Sequence, residues 1–110
     1  MNIVFMGTPV FSLPTLQKLF DSDHNVLLVV TQPDRPKGRG RESTPPPVKQ
    51  FALEKKIPVL QPKKCTNLEV VKTLGALNAD VFIVVAFGQI LDKNLLALPH
   101  HFCINLHSSL

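Results

Sequence analysis

Apolar residues along this chain fall into short runs, and the segments between them are polar or apolar at helical spacing. NIVFM (2–6) is continuous, β-rich and ends at Gly7, the pattern of a buried strand. In LPTLQKLF (13–20), Leu13, Leu16 and Phe20 share one helical face, with Leu19 beside them. Ser12 is placed to cap this helix, and Pro14 falls in its first turn, where a missing N–H is tolerated. NVLLVVTQ (25–32) is a second continuous run, as expected of a parallel strand covered on both faces. VKQFALEKK (48–56) predicts a helix, IPVLQ (57–61) a short edge strand, and LEVVKTLGAL (68–77) another helix. Pro58 restricts the third strand to an edge, because proline cannot donate to a ladder. DVFIVVAF (80–87) is the strongest strand pattern in the chain, and a short helix near Lys93 to Leu98 leads through Pro99 into FCINLH (102–107).

Alternating strands and helices predict an α/β fold, a Rossmann-like parallel sheet of about five strands with helices on both faces. Ligands of such sheets bind outside the carboxyl ends of the strands, near the point where strand order reverses. Thr8, the loop after Gln32, Gly88 and His107 all lie at those ends. The unusual segments therefore gather on one edge.

Composition narrows the class without naming a chemistry. The 110 residues, 45% hydrophobic and 18% charged, suit one small packed domain. No run approaches the length of a membrane span, and MNIVFMGTP lacks the charge and apolar pattern of a secretory signal. Cys65 and Cys103 stand in no metal or redox spacing, so free thiols in a reducing, cytoplasmic setting are expected. The net charge of +4 matters mainly through its placement.

Four segments carry candidate chemistry. GTP after the first strand has one glycine where a dinucleotide fingerprint needs three, so a tight strand-to-helix turn is expected rather than nicotinamide binding. PDRPKGRGRESTPPPVK (33–49) holds five of the ten prolines and five of the twelve basic residues. It cannot form a core, its prolines favour extended backbone, and a long loop at a ligand edge is commonly functional. Arg35, Lys37, Arg39 and Arg41 recur at every second position, suiting a segment that follows a phosphate backbone. Without aromatics among them, base stacking is not supported. A solvated connecting loop remains the alternative. In AFGQIL (86–91), main-chain groups at Gly88 and Gln89 could bond a heterocycle, with Ile90 and Leu91 as an apolar wall; an ordinary strand exit is the alternative.

In CINLHSSL (103–110), residues two apart face the same side of a strand, so Asn105 and His107 point together. A side-chain amide can donate to an oxygen gaining negative charge, and an imidazole can take a proton from an attacking amine at neutral pH. The pair suits acyl transfer through a tetrahedral intermediate, although strand ends also become polar simply on reaching solvent. Zinc held by His100, His101, Cys103 and His107 is disfavoured, because the spacing along one strand is wide and no carboxylate completes a site.

GTP, TQPDRPKGRG, PPPVK, VVAFGQIL and CINLHSSL, in this order, resemble the N-terminal part of bacterial methionyl-tRNA formyltransferases, within the folate-dependent formyltransferase family. INLHSSL alone would indicate only the broader family; TQPDRPKGRG narrows it to the tRNA enzymes. Val10 departs from a position that is often acidic in that family. The resemblance implies formyl transfer from 10-formyltetrahydrofolate to the α-amino group of methionine on initiator tRNA, with no metal. It assigns Asn105 to polarising the formyl oxygen and His107 to proton acceptance. Gly88, Gln89, Ile90, Leu91, Ser109 and Leu110 would contact folate. Arg35, Lys37, Arg39 and Arg41 would contact tRNA, Arg39 foremost.

The resemblance also implies that residues 1–110 are the N-terminal part of a catalytic domain. The remainder of that domain, including a catalytic aspartate, and a C-terminal tRNA-binding barrel would lie beyond the chain. Glu54, Glu69, Asp80 and Asp92 match no such aspartate. On that basis the segment alone is expected to be nearly inactive, with an exposed sheet edge open to non-native dimerisation. Two other functions fit the same residues: a small basic RNA-binding module without catalysis, and a different folate-dependent formyl transferase or hydrolase.

Overall fold

The computed structural model of the chain describes residues 1–36 and 43–106. Strand β1 (Asn2–Gly7) is followed by a 3-10 turn (Val10–Ser12), helix α1 (Leu13–Phe20) and strand β2 (Asn25–Val30). A two-residue strand β3 (Arg35–Pro36) pairs antiparallel with β4 (Ser43–Thr44) before helix α2 (Pro47–Glu54). Strand β5 (Val59–Leu60), helix α3 (Leu68–Ala76), strand β6 (Val81–Val85), helix α4 (Lys93–Leu96) and strand β7 (Phe102–Leu106) complete the order. The main sheet runs β5-β2-β1-β6-β7, with every neighbouring pair parallel. The expected five-strand parallel sheet is thus present. Its order reverses between β1 and β6, which puts the switch point at Thr8 and Phe87.

Strand alternation divides the core between two faces. Val4, Met6, Leu28, Val30, Phe82 and Val84 pack with Leu74 of α3 and Leu95 of α4. On the other face Phe5, Val29 and Val85 pack with Leu16 of α1 and Val48 and Ala52 of α2. Continuous apolar runs in β1, β2 and β6 follow from this two-sided burial. The edge strand β7 is different. Phe102, Ile104 and Leu106 are exposed, while Cys103, on the opposite face, packs against the core containing Phe82.

Several local expectations change. Ser12 occupies the residue before α1, but its side chain caps nothing. The preceding 3-10 turn already holds its N–H on the Pro9 carbonyl at 2.9 Å. Its hydroxyl, fully buried, instead donates to the Val85 carbonyl at 2.6 Å. Gly7 makes this approach possible: a Cβ there would sit 2.8 Å from both Ser12 Cβ and Ser12 Oγ. The single glycine of GTP therefore serves close packing of the turn on the sheet. Phe20 overhangs the end of α1 and is partly exposed, stacking edge-on against Phe51 of α2 at 5.9 Å. Strand β6 stops at Val85, because Ala86 has a φ of 52° and ends the ladder before Gly88 does. At the two ends of the proline-rich loop the backbone is extended, and Arg35–Pro36 and Ser43–Thr44 pair antiparallel as β3 and β4.

The amino end of the sheet is fastened by Asp80, whose Oδ2 accepts from the Asn2 backbone N–H at 2.8 Å. That bond, with the neighbouring His101 and His100 rings in support, holds its carboxyl below the usual carboxylate range despite burial. A depressed carboxyl stabilises the fold above its unfolded value of about 3.9, and that contribution is lost as pH falls through the folded value. Asp80→Asn keeps an acceptor for Asn2 but removes the titration. Urea unfolding followed from pH 6 to pH 3 should therefore show a shallower loss of stability in the variant than in the wild type. Equal slopes would mean that Asp80 contributes nothing to acid sensitivity.

Candidate functional site

A cavity of about 490 Å³ opens at the carboxyl ends of β6 and β7. Ala86, Phe87, Gly88, Gln89, Ile90 and Leu91 line one side, Asn105 and Leu106 another, with Leu96 of α4 and Val84 completing it. Asn105 reaches it because β7 pairs in register with β6, Val84 opposite Asn105. Leu91 packs against the core, whereas Ile90 is 87% exposed and stands on the rim. The four sequence-predicted wall residues and Asn105 therefore share one cavity.

The segment from Ala86 to Gly88 is held tightly. Phe87 is 2% exposed, between Ala86 with φ 52° and Gly88 with φ 95°. Its carbonyl accepts from Thr8 Oγ1 at 2.8 Å. Only glycine is comfortable at the Gly88 conformation, and a Cβ there would lie 2.8 Å from Gln32 Nε2. Gln89 lines the cavity while its amide is used internally. It donates to Gln32 Oε1 at 2.8 Å and to the Pro62 carbonyl at 2.9 Å, and accepts from the Cys65 N–H at 2.8 Å.

The root of the basic segment is organised by side chains that the sequence pattern did not single out. Asp34 sits immediately before β3, and its two carboxylate oxygens each lie 3.1 Å from Lys49 Nζ of α2. Gln61 donates to Asp34 Oδ1 at 2.6 Å. The Gln61 bond foremost, then Lys49, holds the Asp34 carboxyl below its ordinary range. A polar cluster directly after the apolar run of β2 was a visible signal for Gln32 and Asp34. Nothing local marked Gln61.

Of the predicted nucleic-acid residues, Arg35 has its backbone in β3, while Lys37, Arg39 and Arg41 lie outside the described residues, as do His107, Ser109 and Leu110. Among the described residues no group of three or more His, Cys, Asp or Glu side chains could hold a metal ion. Neither thiol is an activated nucleophile: burial pushes Cys65 up to about 11 and raises Cys103 as well, which keeps both protonated near neutrality. No helix among the described residues is long and apolar enough to cross a membrane.

A parallel α/β sheet with a cavity at its carboxyl edge, and a side-chain amide on the adjoining strand, defines a domain of the Rossmann-like class. The chain belongs to the formyl transferase family, whose sequence profile matches residues 1–110. It is 56% identical over 110 residues to the methionyl-tRNA formyltransferase of Geobacter metallireducens, covering 100% of this chain and 35% of that protein. The methionyl-tRNA formyltransferase of Clostridioides difficile is 53% identical over 110 residues, covering 100% and 36%. That of Prochlorococcus marinus is 51% identical over 111 residues, covering 100% and 33%. The chain thus spans about a third of the length of the curated relatives it matches.

Proposed function

We propose that the protein carrying this chain transfers the formyl group of 10-formyltetrahydrofolate to the α-amino group of methionine on initiator tRNA, in the cytoplasm. The observation that carries this reading is the shared cavity, in which Asn105 meets the wall from Gly88 to Leu91. Within this reading the wall binds the pterin ring of the donor, through backbone groups near Gly88 and Gln89 and apolar contact at Ile90 and Leu91. Ser109 and Leu110 extend the same contact. The Asn105 side-chain amide donates to the formyl oxygen as it gains negative charge. His107, two residues beyond Asn105 in the sequence, accepts the proton released when the amine nitrogen bonds to the formyl carbon. The bond from that carbon to the donor nitrogen then breaks, and the donor leaves as tetrahydrofolate, its nitrogen taking up the proton that His107 returns. Arg35, Lys37, Arg39 and Arg41 bind the acceptor RNA through its phosphates. The residues 1–110 form the N-terminal part of the catalytic domain.

Acceptor selection tests the proposal. A competent protein carrying this sequence, supplied with 10-formyltetrahydrofolate, should formylate initiator methionyl-tRNA far faster than glycinamide ribonucleotide, and should release little formate. Comparable turnover with the small amine or with water would instead favour another folate-dependent activity. Salt-sensitive RNA binding with no formyl transfer at all would favour a non-catalytic binding module.

A further inference from the structure

Gln32, two residues beyond the end of β2, reaches the Gly88–Gln89 wall of the cavity through its side-chain amide. Its Nε2 donates to the Gly88 carbonyl at 3.0 Å, and its Oε1 accepts from Gln89 Nε2 at 2.8 Å. Main-chain groups fix which way round both amides sit. The Cys65 N–H can only donate, so the Gln89 atom it meets at 2.8 Å is Oε1. Gln89 Nε2 then faces the Pro62 carbonyl at 2.9 Å, which can only accept, and gives its second hydrogen to Gln32 Oε1. Gln32 Nε2 is thereby left for the Gly88 carbonyl. The Gln32 main chain is anchored as well: its N–H donates to Thr8 Oγ1 at 3.3 Å, and Thr8 in turn holds the Phe87 carbonyl.

The peptide joining Gly88 to Gln89 is trans, and a trans peptide points its C=O and N–H in opposite directions. With the Gly88 carbonyl turned to Gln32, the Gln89 backbone N–H points away from Gln32. Among the described residues no group accepts from that N–H, and Gly88 and Gln89 both line the cavity. We propose that Gln32 is a positioning residue for the formyl donor: by holding the Gly88 carbonyl, it presents the Gln89 backbone N–H to an acceptor atom of the bound pterin ring. The inference rests on the formyl-transfer reading, which places that ring at this wall. Gly88, with a φ of 95°, is where the chain is least restrained. Glycine adopts positive and negative φ alike, so without Gln32 the peptide plane is free to turn over. A turned plane brings a carbonyl, itself an acceptor, to the ring atom that needs a donor. The Gln89 side chain, tied to Pro62 and Cys65, keeps the Gln32 amide from flipping.

The test uses a competent protein carrying this sequence, isotopically labelled at the glutamine nitrogens, with tetrahydrofolate as the non-transferring probe. In the wild type, saturation with tetrahydrofolate should move the Gln89 backbone amide proton downfield, the signature of a new hydrogen bond. Gln32→Met keeps the length of the side chain but removes its donor and acceptor, and should raise the Kd for tetrahydrofolate about tenfold. Gln32→Glu sets a carboxylate against the Gly88 carbonyl and should raise it further. In both variants the downfield movement should be absent at saturation. In steady-state formylation the loss should fall on KM for the formyl donor more than on kcat. A residue with only a structural role would weaken binding, yet the Gln89 signal would still move once the site was filled. That result overturns the inference, as does a Kd within about twofold of the wild type in the variants. If Gln32→Met does not fold, the isosteric Gln32→Glu decides the question. Tetrahydrofolate bound to the wild type with the Gln89 amide unmoved also overturns the inference, and leaves the formyl-transfer reading intact. Failure of the wild type to bind tetrahydrofolate overturns that reading, and the inference with it.

Discussion

Asn105→Ala is expected to lower kcat for formyl transfer by about 10²–10³, the usual effect of removing one side-chain donor from an oxyanion site. The physical case is local. Asn105 lies on the exposed edge strand, faces the cavity and is opposite Val84 in the β6–β7 ladder. Its amide is therefore carried by a rigid strand, which keeps the reorganisation needed at the moment of reaction small. Truncation to alanine leaves that strand in place, and at an exposed position stability should change by less than about 0.5 kcal/mol. The loss should appear in kcat and kcat/KM together, because the donor acts on charge that develops only as the bond forms. Asn105→Asp should be at least as damaging, since a carboxylate accepts where donation is needed and adds repulsion. Steady-state formylation with unfolding controls measures all of this. A kcat within a factor of about three of the wild type would remove Asn105 from the chemistry.

Phe87→Ala should destabilise the domain by about 3–5 kcal/mol, as truncating a buried phenylalanine generally does. It should also abolish measurable folate binding. Phe87 is buried in the core that includes Val4, Phe82 and Leu95, and it stands between two residues with positive φ. A non-glycine residue such as Ala86 is held in the left-handed region at a cost of about 1–2 kcal/mol, so the segment relaxes once its anchor is gone. Phe87→Leu retains most of the apolar volume and should lie between the two. Denaturant unfolding alongside tetrahydrofolate binding provides the check. A loss under about 1 kcal/mol with folate affinity kept would show that the cavity wall does not depend on this anchor.

The sequence and the structure divide the explanation along a physical line. Apolar periodicity is a consequence of backbone geometry within a few residues. The runs 2–6, 25–32 and 80–87 therefore announced β1, β2 and β6, and alternation with helices announced a parallel sheet. The same two-residue period placed Asn105 apart from Ile104 and Leu106, and glycine chemistry marked the turn at 88. Local pattern was weaker at ends: Ser12 was read as a cap, although tertiary packing drew its hydroxyl to Val85, 73 residues away. Ala86 ended a strand that apolar character alone would have carried to residue 87.

The identity of a polar side chain's partner is a different kind of fact. Gln32 meets Gln89 across 57 residues, and Gln61 meets Gln32 across 29. Those meetings depend on the order β5-β2-β1-β6-β7, which brings the ends of β2, β5 and β6 to one edge. By itself the sequence determined the strands of the main sheet and the helices around them, and it pointed to the carboxyl edge and to the candidate chemistry of Asn105. Only the tertiary structure decided that Asn105 and the wall from Gly88 to Leu91 share one cavity, and that the side-chain amides of Gln32 and Gln89 brace this wall. Burial pattern is written into neighbouring residues, whereas hydrogen-bond partnership is settled by which distant strands come to lie side by side.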